Sequence, residues 1–133
     1  MVDVAGSAEV LSAFRGVVGD LAEVCVALSA EDLLARDAAA LVSLSGSIER
    51  FVAGARTLAL QRVLESKVWR DDGAKSPQHW LAAQLGIPVG QAGRIIATAE
   101  RVAAQPKTED ALRHGELSDD EADAVSRATE ADP

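Results

Sequence analysis

Near the N-terminus the apolar residues step by threes and fours through Leu11, Phe14, Val18, Leu21, Cys25 and Leu28. That spacing places them on one face of a helix, and Val10, Val17 and Val24 widen the seam into a core-facing stripe. A first helix is predicted over about Ser7–Leu28, with Gly16 and Gly19 off the seam. Ser29 followed by Asp32 reads as a capping box with Asp in place of Glu or Gln, so the next helical segment is expected to begin there. A second seam, Leu41, Leu44, Ile48, Phe51, Ala55 and Leu58, predicts one long helix from Asp37 to about Val68. At 1.5 Å per residue it would span ~48 Å, with Ser45-Gly46-Ser47 the expected place for a bend. The first helix can cover only the first half of it as an antiparallel hairpin. The second half needs another partner.

Beyond the Asp71-Asp72-Gly73 turn the punctuation changes. Ser76 can cap a helix whose first residue is Pro77, where a missing N–H costs nothing. Gly86 falls where a helix C-terminus needs a left-handed residue, and Pro88 suits the first turn of another helix. With small Ala82 four residues before the glycine, this spacing predicts a helix-turn-helix, Pro77–Leu85 followed by Pro88–Ala104. Pro106 stops the second arm. A short helix near Thr108–Arg113 should end at Gly115, and Ser118 with Glu121 forms a capping box for a last helix over Asp119–Thr129. The tail Ala131-Asp132-Pro133 offers no clear closing cap. No alternating strand pattern occurs. The expected fold is all-α: a long helical hairpin (1–68), a helix-turn-helix-like unit (69–106) and short C-terminal helices (107–133) within one helical domain. The chain is expected to be the N-terminal part of a longer protein.

Composition narrows the core. The 133 residues are 48% hydrophobic but include only two Phe, two Trp and no Tyr, so aliphatic side chains must fill close-packed helices. Trp69 and Trp80 are expected to anchor the helix-turn-helix unit onto the long helix. Cys25, the one cysteine, excludes an internal disulfide, reads as a small buried hydrophobe and suits a reducing compartment. Asp3, Glu9, Arg15 and Asp20 interrupt any leader-like apolar run, and no stretch approaches the ~20 apolar residues of a membrane span. A soluble cytoplasmic protein without membrane contact is expected.

Charge is unevenly spread within a net −8. Residues 1–49 hold eight acids and two bases, residues 50–108 four acids and nine bases, and residues 109–133 nine acids and two bases. A basic middle between acidic ends suggests DNA for the paired-helix unit. Gln91, Arg94, Thr98 and Arg101 would meet a major groove, with Lys75 and Lys107 on phosphates. Val89, Gly90, Ala92 and Gly93 leave the front of that helix without base-reading groups, so binding would be weak and salt-sensitive. Arg50, Arg56, Arg62, Lys67 and Arg70 read as a solvated face pairing with nearby acids. The alternative is a protein-interaction or oligomerisation module, with Leu58, Leu60, Val63 and Leu64 of the long helix buried between copies.

Other chemistry is sparse. Asp119, Asp120 and Glu121 complement a helix N-terminus and lack the loop of a calcium site. Asp71 and Asp72 read as turn formers. His79 reads as a surface or boundary residue and His114 as part of a helix ending; neither has zinc-ligand company. No nucleophile with an oriented base, phosphate loop or dinucleotide fingerprint appears. No catalytic residue, metal, cofactor or small-molecule substrate is expected.

One resemblance adds to this reading. The pattern W-R-D-D-G-A-x-S-x-x-x-W-L-A, then G-I-P-x-x-x-A, then L-R-H-G-E-L-S-x-x-x-A, runs from Trp69 to Ala122. It resembles the domain of unknown function 222 group, also called the 13E12 repeat family, of actinobacteria, over about Leu33–Ala128. Members commonly carry an HNH nuclease module downstream, so the resemblance implies the N-terminal helical part of an HNH-endonuclease-like protein. It transfers no catalytic residue to this chain.

Overall fold

A computed structural model describes residues 6–132. Expectations that touch Asp3 and Pro133 lie outside the described residues. Among these residues seven α-helices follow in order: α1 Ser7–Ala27, α2 Ala35–Ser66, α3 Val68–Asp71, α4 Pro77–Leu85, α5 Val89–Val102, α6 Pro106–Arg113 and α7 Asp119–Ala131. No strand occurs among the described residues, so the chain is all-α. None of these helices is long and apolar enough to cross a membrane.

The chain divides into two compact units, Met1–Leu41 and Val42–Pro133. In the first unit α1 takes the bounds its seam predicts, yet none of its residues is buried. Cys25 is exposed, contrary to its reading as a buried hydrophobe, because the whole apolar stripe of α1 lies open. Ser29 makes no side-chain cap; it precedes only a 3-10 turn over Ala30–Asp32, and α2 begins at Ala35. Asp32 stands at the third position after Ser29, where a capping box has Glu or Gln, but its side chain is one methylene shorter and no reciprocal cap forms.

The second unit is built on α2, which is helical straight through Ser45-Gly46-Ser47. The long helix ends where Lys67 takes a left-handed conformation, φ 60°, and redirects the chain into α3. Gly73, at φ 87°, then releases the chain toward α4. The paired helices obey their punctuation. Ser76 Oγ accepts from the His79 N–H at 3.1 Å, Pro77 opens α4, and left-handed Gly86 donates its N–H to the Ala82 carbonyl at 2.9 Å. Pro88 caps α5 rather than entering it, and Pro106 opens α6 instead of merely stopping α5.

Two apolar clusters hold this unit. The larger joins Leu60 of α2, Leu81 and Ala82 of α4, and Ala92, Ile95, Ile96 and Ala99 of α5. Trp80, Leu64 and Ile87 pack against it, and Trp80 Nε1 donates to Asp72 Oδ2 at 2.8 Å. Trp80 therefore anchors α4 as its sequence position suggests; Trp69 instead carries the Arg70 guanidinium 5.5 Å from its ring centroid. The smaller cluster joins Val102, Leu112 and Ala122, with Leu117 against it. Small residues set these spacings. A Cβ at Gly54 would overlap the backbone carbonyl of Leu112, so α2 meets the end of α6 through bare backbone.

Helix propensity favours alanine at both Gly46 and Gly54, but space separates them. At Gly46 the nearest atom to an added Cβ is Arg50 Nη1 at 3.6 Å. Gly46→Ala should therefore stabilise by ~0.5–1 kcal/mol. Gly54→Ala should destabilise by ~1–3 kcal/mol, because the obstruction is backbone and cannot rotate away. Chemical denaturation of the two variants checks the opposite signs.

Candidate functional site

Gln91, Arg94, Thr98 and Arg101 step by three, four and three along α5 and share one face, as the helix period requires. That face turns toward α7. Thr98 is 4% exposed, and its hydroxyl donates to the Arg94 carbonyl at 2.9 Å. Arg101 reaches across to α7, where Nη2 meets Asp123 Oδ1 at 2.6 Å and Nε donates to Ser126 Oγ at 2.9 Å. The Arg101 side chain is only 14% exposed and Asp123 18%. Thr98 and Arg101 thus face α7 within the bundle, where the sequence placed them toward a DNA groove. The physical reason is α7: its acidic first turns supply the anions that the arginines of α2 and α5 need.

The same pattern recurs along α2. Arg56 Nη1 meets Asp119 Oδ2 at 2.8 Å, and Arg50 Nε approaches Glu121 Oε1 at 3.8 Å. Gln91 and Arg94 remain exposed at the mouth of a small cleft that they share with Thr57, Ile95, Asp119, Asp120 and Asp123. Arg94 makes no ion pair among the described residues, but three carboxylates line the cleft beside it. Lys75, before α4, and Lys107, in the first turn of α6, are exposed. The structure therefore gathers the four α5 positions and leaves the two lysines outside that cluster.

The expected oligomer seam also turns inward. Leu60 is 3% exposed and belongs to the larger core, and Leu64 packs against it. Leu58 and Val63 are half-buried. Leu60 is covered by α4 and α5 on that face of α2, and Leu64 is partly covered. The exposed apolar positions lie elsewhere, on α1 and on the earlier part of α2 at Leu44, Ile48 and Phe51. Sequence reasoning passed over Gly54, whose only signal was a glycine inside a helical run.

The acids at the start of α7 are held by the helix itself. Ser118 Oγ accepts from the Glu121 N–H at 3.1 Å, and Glu121 Oε1 accepts from the Ser118 N–H at 3.0 Å. Those bonds, first the backbone N–H, then the Ser118 hydroxyl, with Arg50 adding its charge, hold the Glu121 carboxyl below the usual 4.5. His114 ends α6: its Nδ1 lies 2.8 Å from the Asp110 carbonyl, and that bond, with the Asp110 carboxylate, raises its pKa above 6.5. No group of three or more His, Cys, Asp or Glu suited to a metal occurs among the described residues.

With this geometry established, family comparison gives one result. The model for "Domain of unknown function (DUF222)" matches residues 34–133, and the chain belongs to that family. The match takes in every element from α2 onward and leaves α1 outside it. No curated protein and no solved structure matches the chain.

Two outcomes follow for α7. Asp123→Asn should cost about 1.5–3 kcal/mol, the worth of a poorly solvated charged hydrogen bond. Arg127→Ala, which removes only the exposed partner of Asp123, should cost under ~0.5 kcal/mol. Urea melts of both variants check the contrast. Since its pKa is lower folded than unfolded, Glu121 adds stability above the usual 4.5 that disappears as acid titrates it. Between about pH 5 and 3 the wild type should lose more thermal stability than Glu121→Gln. Parallel melting curves would show no difference if the capping box carried no charge linkage.

Proposed function

We propose that this chain is a non-catalytic helical module for protein association, in which the central arginines brace the chain's own bundle. The observation that carries this reading is the trio of contacts from Arg50, Arg56 and Arg101 to Glu121, Asp119 and Asp123. Basic side chains that already face carboxylates contribute little to a polyanion, since no phosphate counterions are released by charges that are neutralised within the protein. A second support is the open apolar surface of α1, whose large side chains are 38–88% exposed. Apolar stripes of that extent mark contact sites more often than free solvent faces.

A DNA-associated reading retains one specific support: Lys75, Gln91, Arg94 and Lys107 are exposed, and the three cations make no ion pair among the described residues. Three separated cations would give weak, steeply salt-dependent binding. The downstream nuclease module that the family resemblance implies would then supply the chemistry.

One titration separates the readings. Fluorescence anisotropy of a mixed-sequence duplex at about 50 mM salt should show no saturable binding by the full chain. Binding that weakens with salt, and is lost in Arg94→Glu, would overturn the association reading in favour of DNA.

A further inference from the structure

Among the helices that close around α5, α7 brings the least apolar mass. Its buried residues are Ala122 and Ser126 alone, whereas α2 brings Leu60, α4 Leu81 and α6 Leu112. Val125, its largest aliphatic side chain, is 40% exposed. What holds α7 is polar. Arg101 of α5 meets Asp123 and the Ser126 hydroxyl, Arg56 of α2 meets Asp119, and Gln105 donates to the Ser126 carbonyl. Every one of these contacts lies within the second unit. The α7 positions they use, with Ala122 between them, are Asp119, Ala122, Asp123 and Ser126. Spaced i, i+3, i+4 and i+7, they form one helical face of acids and small residues in alternation.

Resting on the association reading above, we infer that the trough holding α7 is a docking surface for an acidic helix of a partner protein. α7 is its resident competitor, and the partner carries the same stripe of acid, small residue, acid, small residue. Arg56 and Arg101 supply the charge, in the manner of arginine clusters that read acidic segments. Shape favours a helix over a nucleic-acid duplex. Ala122 is 1% and Ser126 0% exposed, so the trough meets its occupant at the distance of a helix backbone. Gln105 reads a main-chain carbonyl, which every residue of a polypeptide carries. An element with so little buried apolar surface opens at lower free energy than the core beneath it. Tethered through the residues after α6, α7 competes at roughly millimolar effective concentration and lowers a partner's apparent affinity accordingly.

Hydrogen exchange on the full wild-type chain tests the opening without any substitution. Amides of α7 should exchange at least ~tenfold faster than those of α5. Raising sodium chloride from about 50 mM to about 0.5 M should speed α7 further and leave α5 unchanged, because salt screens charge pairs. Equal protection of the two helices overturns the inference. A fluorescein-labelled peptide of residues 118–132 is the partner probe. It should bind the full chain carrying Asp119→Asn and Asp123→Asn at least ~tenfold tighter than wild type, since the resident helix then competes less. A scrambled peptide of the same composition should not bind, and adding Arg56→Gln should weaken the native peptide. If the double variant does not fold, Asp119→Asn alone carries the same comparison with a smaller gain. A folded variant with no gain, or one that takes the scrambled peptide equally, overturns the inference and leaves the association reading standing. Binding of a mixed-sequence duplex by the variant in place of the peptide overturns it in favour of nucleic acid. Duplex binding by the wild type in the titration above removes the association reading itself.

Discussion

Everything in the second unit is arranged around the burial of α5. Ala92, Ala99 and Val102 have no solvent exposure, and Ile96 has almost none, so this helix is enclosed on several sides at once. Small residues make that enclosure possible, because alanine lets neighbouring backbones approach where leucine would hold them apart. A helix so enclosed has few positions left to present outward. Its polar residues must then find partners inside the bundle, and Thr98 and Arg101 do so. Gln105 continues the pattern: 9% exposed, it donates to the Ser126 carbonyl at 2.9 Å and accepts from Thr108. No buried side-chain polar atom among the described residues lacks a partner. The site's chemistry is thus a consequence of packing.

The secondary structure was largely legible because its signals are local. The Ser76 and Ser118 caps, the left-handed Gly86 and Gly115, and the seams of α1 and α2 each depend on a few neighbouring residues. Errors arise where a tertiary contact decides. The face of α5 bearing Arg94 and Arg101 is polar in sequence, and polarity alone reads as solvent or DNA. Only the arrival of α7, some twenty residues later, draws Arg101 into a shielded pair with Asp123, while Arg94 stays exposed. Leu60 fails in the opposite sense, since an apolar residue beyond the first hairpin seemed to need a second chain until α4 and α5 covered it. The 3-10 turn after Ser29 shows that a capping pattern without the right side-chain length does not commit the backbone.

The two units differ in what secures them. The second has dense aliphatic contacts and charge pairs that shield one another from water. The first has an amphipathic helix whose apolar side lies open. The family match begins at residue 34, within the first unit, and excludes α1.

The close approach at Gly54 has a consequence of a different kind. Where two side chains collide, a smaller neighbour can restore the fit, and sequences drift by such exchanges. The obstacle to a Cβ at Gly54 is the carbonyl oxygen of Leu112, which every amino acid carries alike. No replacement at 112 makes room. The contact between α2 and the end of α6 therefore admits no second-site repair, and a lineage that loses this glycine must move a whole helix to recover the fold.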